Sequence, residues 1–255
     1  MFRLILCTLF FTSLAQADDK KIGLTNESAL GYVVTGGNSE SETTSLNQKS
    51  SYKWLMDEMI FTGHYIQANG KDQTTQLTSQ TAENWAATLR YEKVITPKWF
   101  SAFLAHGWYG DLFQGIREGH ATDLGAKYYT SHSKTFVQYF ELGYRYSREL
   151  FRSAPTPSVG SGAPINPEFH QARLKAQIDY AHSKTLSLGA WVEYLPSITN
   201  FSEDQRLNYS PYLSSVLTDM FSLKVAYEGR YRYKQPVATN KLTDYTFTTS
   251  LIAKF

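Results

Sequence analysis

Long segments of this chain alternate apolar and polar side chains with a period of two. Between Phe221 and Lys234, one set of alternate positions carries mainly Phe, Leu, Val and Tyr, and the other carries mainly Ser, Lys, Glu and Arg. The segment from Glu168 to His182 repeats the pattern. A helix would mix charged and aromatic side chains on one side here, whereas a strand separates them. The pattern therefore predicts strands with one polar and one apolar face.

The alternating segments are longer than the strands of ordinary globular proteins. Globular strands have about 5–6 residues, whereas a tilted strand that crosses a membrane needs about 9–11 residues. After the first seventeen residues, no window approaches the roughly 18 apolar residues that a membrane-spanning helix needs. A closed β-barrel is the other structure that can cross a bilayer, because it pairs its backbone groups within the sheet.

The connections between these segments alternate strictly between short and long. This predicts twelve strands, an even number, with both chain ends on the side of the short turns, as in bacterial outer-membrane barrels. The predicted fold class is therefore all-β: a closed antiparallel up-and-down transmembrane β-barrel in which the first strand pairs with the last. The alternative is a soluble sandwich or lipocalin-like barrel, which has no reason to sort its loops by side. The short turns are predicted at 53–57, 95–98, 131–134, 181–184 and 218–220, and the long loops at 36–42, 70–80, 110–117, 151–167, 198–205 and 235–243.

The N-terminal residues have the pattern of a secretory signal peptide. Arg3 provides a positive charge, residues 4–14 form a short apolar stretch, and Ala15 and Ala17 are the small residues before a cleavage point. We therefore predict a signal peptide over 1–17, a periplasmic stub over 18–27 and a barrel over 28–255. An uncleaved membrane anchor is the alternative interpretation of residues 1–17.

The C-terminal residues alternate up to an aromatic end. A strand that closes on Phe is typical of the signal read by the outer-membrane barrel assembly machinery, which we expect as a partner. The residues assigned to this signal are Tyr245, Phe247, Leu251 and Phe255. Outer-membrane lipid and lipopolysaccharide are the other expected partners, and we expect Tyr52, Trp54, Trp99, Phe100 and Phe221 to form an aromatic girdle near the short turns.

Composition excludes several classes of protein. An aromatic content of 15% argues against disorder, and 25 basic against 23 acidic residues give no support for a nucleic-acid-binding surface. The single cysteine, Cys7, lies in the predicted signal peptide and excludes a disulfide framework. No zinc or calcium spacing is present, so no metal and no cofactor is predicted.

The stretch from Ala29 to Trp54 carries a more specific pattern. It contains a Gly-Tyr strand, the compact loop T-G-G-N-S-E-S and a polar alternating strand that ends on an aromatic residue. This stretch resembles the opening of the YdiY-like salt-induced outer-membrane proteins, a β-barrel family of unknown function. The later hairpins and the final Phe fit the same family. The resemblance implies a β-barrel in the outer membrane of a Gram-negative envelope, but no catalytic residue and no defined substrate.

Assigning the polar face of each strand to the barrel interior gives a basic excess. The predicted interior bases are Lys49, Lys53, Arg90, Arg117, Lys127, Arg145, Arg173, Lys175, Arg206, Lys224, Arg230, Arg232 and Lys234. The predicted interior acids are Glu92, Asp123, Glu141, Glu149, Asp179, Glu193 and Glu228. We interpret Arg173, Lys175, Arg206, Lys224, Arg230, Arg232 and Lys234 as a basic ladder, with Glu92, Glu141, Asp179, Glu193 and Glu228 as its acidic partners.

Three functions are compatible with such an interior. A ladder of cations in a low-dielectric tunnel would attract small anionic solutes and favour a narrow anion-preferring pore. The same residues could instead pair with acids across the lumen and plug the barrel. The third alternative is a lipid hydrolase with an active site near the rim, for which His120 and His170 are the candidate bases, although no G-x-S-x-G motif is present. We do not expect the third function: the protein is predicted not to be an enzyme.

Overall fold

The computed structural model describes residues 22–35, 40–71, 77–97, 99–111, 114–151, 166–199, 201, 204–233 and 242–254. The predicted signal peptide, the first residues of the predicted stub, most of the T-G-G-N-S-E-S loop, Lys234 and Phe255 lie outside the described residues. In the described part of the chain, no helix has the length and apolar character needed to cross a membrane.

The described residues form twelve β-strands. Their bounds are β1 Gly23–Thr35, β2 Glu40–Trp54, β3 Asp57–Lys71, β4 Thr78–Thr96, β5 Phe100–Asp111, β6 Ile116–His132, β7 Phe136–Phe151, β8 Glu168–Ala181, β9 Leu186–Pro196, β10 Gln205–Val216, β11 Phe221–Arg232 and β12 Thr243–Lys254. The first strand begins at Gly23, whereas the sequence pattern places the start of the barrel at residue 28. Residues 23–27 therefore belong to a strand.

The twelve strands form one closed barrel. Each strand pairs antiparallel with its neighbours in sequence, and β1 pairs with β12 to complete the cylinder. The predicted all-β fold class, the number of strands and the closure between the first and last strands are therefore confirmed. Closure pairs residues 27–30 with 251–254 along the two edges that an open sheet would expose.

The pairing register assigns each residue to the inside or the outside. One chain of paired positions runs Glu92, Phe103, Gly125, Gly143 and Arg173 across β4 to β8, so these residues share the inner face. On each strand, the residues directly before and after these positions face outward, and large apolar side chains are exposed there. Leu142 on β7 is 64% exposed and Leu124 on β6 is 61% exposed. The barrel therefore has a polar interior and an apolar outer belt.

Aromatic side chains lie at the short-turn end of this belt. Tyr52, Trp99, Phe100 and Phe221 are all exposed. Tyr52 contacts Trp54 with a distance of 5.7 Å between ring centroids. Rings of this kind place an apolar body against lipid and a polar edge towards water, as the predicted girdle requires.

Three of the short turns are built in the same way. The hydroxyl of Ser133 accepts a hydrogen bond from the backbone N–H of Phe136 at 2.9 Å. Ser183 accepts from the backbone of Leu186 at 3.0 Å, and Thr218 accepts from the backbone of Phe221 at 3.0 Å. A hydroxyl three residues before the next strand satisfies the first donor of that strand, which explains why these turns resemble one another in sequence.

A positive charge on the outer belt tests the orientation of the sheet. We expect Leu142→Arg, in the middle of β7, to lower the free energy of unfolding in phospholipid vesicles by about 2–4 kcal/mol. The control is Thr130→Arg, since Thr130 is exposed near the short-turn end of β6 and the cost falls to about 0–1 kcal/mol near the interface. Equal costs at the two positions would contradict the assignment of Leu142 to the lipid-facing belt.

Candidate functional site

The lumen contains a cluster of ion pairs centred on Glu141 of β7. Arg90 of β4 donates to one carboxylate oxygen of Glu141 at 2.9 Å, and Arg173 of β8 donates to the other at 2.6 Å. Only 3% of Glu141 is exposed. A buried carboxylate needs compensation by charge and hydrogen bonds, and the two guanidinium groups provide both.

Three further carboxylates extend this cluster, namely Glu92, Glu193 and Asp123. Glu92 accepts from Lys127 at 2.6 Å and from the hydroxyl of Ser101 at 2.7 Å. On the other side, Glu193 accepts from Arg173 at 2.7 Å. Arg145 donates to Asp123 at 2.6 Å and lies 3.4 Å from Glu193. We call these residues the central ion-pair cluster: Arg90, Glu92, Asp123, Lys127, Glu141, Arg145, Arg173 and Glu193.

A second cluster lies nearer the long loops and is centred on Glu149, which is fully buried. Arg206 of β10 and Arg232 of β11 donate to the two oxygens of Glu149 at 2.6 and 2.7 Å. The hydroxyl of Tyr109 donates to Glu149 at 2.9 Å. We call Tyr109, Glu149, Arg206 and Arg232 the loop-side cluster. Its members come from β5, β7, β10 and β11, so it spans a large part of the lumen.

Contacts near the same end connect opposite walls of the barrel. Arg230 of β11 lies 3.6 Å from Asp111 of β5 and 3.5 Å from Glu228. Gln114, just after β5, donates to Asp244 at the start of β12. Since β5 and β11 are six strands apart in the closed order, these contacts cross the lumen.

Aromatic rings support several arginines of these clusters, which the sequence pattern did not predict. The guanidinium carbon of Arg90 lies 3.8 Å from the ring centroid of Phe103, and that of Arg206 lies 4.6 Å from Phe169. Phe103 is 2% exposed and faces inward. The period-two rule assigns aromatic residues to the lipid side, and the only indication otherwise is that residues 99–110 carry aromatic residues on both faces.

Three lysines of the lumen differ from the arginines. Lys175 lies over the ring of Trp191 at 5.3 Å, and Lys224 lies over the ring of Tyr212 at 4.3 Å. Lys49 of β2 faces inward and is exposed. Within the described residues, no carboxylate lies within the 4.0 Å ion-pair distance of these three lysines, whereas Arg173, Arg206, Arg230 and Arg232 each form ion pairs.

The predicted basic excess of the lumen is smaller in the structure. The register places four further carboxylates on the inner face, namely Glu27, Glu58, Asp111 and Asp244. Arg117 is exposed, and Ile116 beside it takes the inward position opposite Phe151. The difference arises because these residues lie near strand ends, where the alternation of apolar and polar residues does not assign a face. Of the remaining predicted acids, Asp179 accepts hydrogen bonds from Tyr212 and Gln177.

The two sides of the lumen differ in their access to water. The central and loop-side clusters lie on β4 to β11 and are largely buried. On the opposite wall, the inward-facing Asn47, Lys49 and Thr62 of β2 and β3 are exposed. Because these residues face the interior, their exposure indicates a water-accessible space along this wall.

The histidines proposed for a hydrolase form other contacts. His120 lies 3.1 Å from Glu118, and His170 shares a hydrogen bond of 2.5 Å with the hydroxyl of Tyr144. Both imidazoles face outward beside aromatic rings. No serine is among these hydrogen-bond partners, and in the described ranges no group of three or more His, Cys, Asp or Glu residues could hold a metal ion.

The predicted assembly signal lies on the outer face of β12. Tyr245 is 71% exposed and Phe247 is 64% exposed, and Leu251 is also exposed. Phe247 follows Tyr245 by two residues and Leu251 follows Phe247 by four, so all three side chains lie on the same outward face.

A closed antiparallel barrel with an apolar belt and a charged interior defines the class of outer-membrane β-barrels. The solved structures with a similar fold belong to this class. The chain covers 98% of the NanC porin, with 91% of its own length aligned, 8% identity and a TM-score of 0.53. It covers 100% of the COG4313 outer membrane channel from Pseudomonas putida F1, with 96% of its own length aligned, 8% identity and a TM-score of 0.52.

Sequence similarity shows the family to which the chain belongs. Residues 28–255 match the model of the family described as "Protein of unknown function, DUF481", and the chain belongs to this family. The resemblance stated from residues 29–54 is thereby confirmed. Among curated proteins, no sequence matches this chain.

Removing the central carboxylate of the loop-side cluster tests its role in stability. We expect Glu149→Gln to cost about 3–5 kcal/mol, because Arg206 and Arg232 then lose the buried carboxylate to which both donate. Urea unfolding of the refolded barrel measures the effect. The control is Glu228→Gln, since Glu228 and Arg230 are partly exposed and such a pair contributes less than about 1 kcal/mol. A cost for Glu149→Gln as small as that of the control would refute the structural role of the cluster.

Proposed function

We propose that this protein resides in the outer membrane and forms a narrow, anion-preferring passage. The observation that carries the proposal is the difference between arginines and lysines in the lumen. The arginines of the predicted ladder are neutralised by carboxylates, whereas Lys49, Lys175 and Lys224 have none within ion-pair distance among the described residues. These three lysines therefore lie outside the close ion pairs of the lumen, although Lys175 is paired in register with Glu141 and Glu193.

The position of the lysines favours contact with a passing solute. Lys49 lies on the water-accessible wall formed by β2 and β3. Lys224 of β11 is paired in register with Ser250 of β12, which is next to that wall. A passage along this side has a charged, packed wall on one flank and small hydroxyl and amide side chains on the other. Low-dielectric surroundings concentrate the field of the lysines in such a channel.

The similar solved structures support a passage in general terms. They are named a porin and an outer membrane channel, and this chain shares their fold. A predicted leader at residues 1–17 supports export to the envelope. The choice of anion over cation rests on the lysines of this chain alone.

A plugged barrel without conductance is the second candidate. The burial of Glu141, Glu149 and Arg173 favours it, because ion pairs between distant strands fill the lumen at two levels. The two candidates differ in one measurable property, which is current through the purified protein.

Single-channel recording in planar bilayers tests the proposal. We expect ionic current whose reversal potential in a KCl gradient indicates chloride preference. In water, a charge at 8 Å is worth about 0.5 kcal/mol, so each Lys→Gln change should lower the chloride-to-potassium permeability ratio by about twofold. We expect the combined Lys49→Gln, Lys175→Gln and Lys224→Gln variant to lose most of the preference.

The matched control is Lys93→Gln. Lys93 lies on the outer face of β4, where it pairs with Asp57 at 3.6 Å, so the same charge is removed outside the lumen. The reversal potential should then stay the same. If the refolded protein carries no current, the passage is refuted and the plugged barrel is supported. If current is present but the triple variant keeps its selectivity, the role of the lysines is refuted.

A further inference from the structure

The joint that closes the barrel is shorter than the two strands that form it. β1 and β12 share the paired positions Glu27↔Lys254, Ser28↔Ala253, Ala29↔Ile252 and Leu30↔Leu251. On their other sides, both strands are paired much further, β1 with β2 as far as Thr35↔Ser41 and β12 with β11 as far as Thr243↔Tyr231. Beyond Leu30, the two strands therefore have no shared ladder among the described residues.

The shared ladder ends just before Gly31. A Cβ atom at this position would lie 3.0 Å from the carbonyl oxygen of Thr249 and would overlap the hydroxyl of Ser45. The backbones of β1 and β12 are thus still close at Gly31, although their ladder has ended. In hydrocarbon, each unpaired backbone N–H or C=O costs several kcal/mol, so a polar or hydrated partner must satisfy the open edges. We call this part of the joint, formed by residues 31–35 and 246–250, the seam.

The lumen side of the seam carries Lys224 and small hydroxyl side chains at the end near Leu30, and Glu228 lies opposite Thr246 at the other end. Lys224, which is one of the three lysines without a carboxylate partner, is paired in register with Ser250. Ser45 and Ser250 are both buried on the inner face beside Gly31. An anionic group in the lumen therefore finds a positive charge and hydroxyl donors next to the opening.

The lipid side of the seam is apolar. Leu30 and Tyr32 of β1 are 57% and 60% exposed. Tyr245, Phe247 and Leu251 of β12 are exposed on the same outer face, and the ring of Tyr245 stacks on Tyr227 at 5.9 Å. Near Leu30, the seam thus connects the part of the interior that carries Lys224 to an apolar exterior over the thickness of one sheet.

We propose that the seam is a lateral opening that binds a single-chain anionic amphiphile. The anionic head lies in the lumen near Lys224, and the apolar chain passes between β1 and β12 into the bilayer along Tyr32 and Phe247. This inference deepens the proposed function, because it assigns a substrate class to the anion-preferring lumen. The complementarity of charge inside and apolar surface outside distinguishes an amphiphile from a small inorganic anion.

Crosslinking across the seam tests the proposal. Continuing the register of Leu30↔Leu251 places Tyr32 opposite Thr249. In a Cys7→Ser background, a short bifunctional thiol reagent would join the Tyr32→Cys and Thr249→Cys positions and hold the seam closed. The probe is a spin-labelled long-chain fatty acid, and its binding to the barrel in phospholipid vesicles is followed by electron paramagnetic resonance. We expect closure to weaken binding at least tenfold.

Two controls give the test its specificity. The same reagent joining Leu188→Cys to Leu213→Cys, an exposed pair on the outer face of the β9–β10 ladder, should leave binding unchanged. Replacing the fatty acid by the matching fatty alcohol should abolish the dependence on Lys224, so Lys224→Gln weakens binding of the acid alone.

The outcomes also separate this inference from the proposed passage. Equal probe binding with the seam open and crosslinked refutes the lateral opening, even when chloride current is present. If the reagent joins two chains of the single variant Tyr32→Cys to each other, the lateral opening is also refuted, because the seam is then an interface between copies of the protein. Binding that depends on an open seam in a protein without current supports the lateral site and refutes the passage through the barrel.

Discussion

The need to pair every backbone hydrogen-bonding group inside lipid controls the rest of this structure. It excludes an open sheet and forces twelve strands into a cylinder, with one face of each strand towards hydrocarbon and the other towards the lumen. The polar residues are then confined to a space where they meet one another. Glu149, with no exposed surface, accepts hydrogen bonds from Arg206 and Arg232, which reach it from strands on another part of the wall. The charged interior is therefore a consequence of closure.

The sequence predicts the features that depend on neighbouring residues along the chain. Alternation in segments such as 221–234 identifies strands and faces, and a Ser or Thr three residues before a strand identifies the compact turns at Ser133 and Ser183. It does not predict which ion pairs form. Arg90 meets Glu141 across three strands, and this choice depends on barrel closure and side-chain length. The face of Phe103 is not predicted, because residues 99–110 carry aromatic residues on both faces and its inward position depends on the guanidinium group stacked on it.

The kind of cation, rather than the number of cations, determines the field in the lumen. Arginine has a planar group with several donors, so Arg173 can serve Glu141 and Glu193 together and lose its net effect on the surroundings. Lysine has a compact charge on a flexible stem, and in Lys175 and Lys224 this charge lies over an aromatic ring, outside the close ion pairs. The basic ladder predicted from the sequence counts arginines and lysines equally. It therefore overestimates the positive field of the arginines.

The ion-pair clusters link some strands of the barrel to one another and leave others without such links. They link β4, β6, β7, β8 and β9 in one cluster and β5, β7, β10 and β11 in the other, so movement of any of these strands breaks buried charge pairs. The strands β12, β1 and β2 contribute to neither cluster, and the ladder between β1 and β12 ends at Leu30 and Leu251. The water-accessible wall and the weakest joint thus lie on the same side of the barrel. An opening at this joint, beside Lys224, would break fewer paired backbone positions than elsewhere and none of the ion pairs of the two clusters.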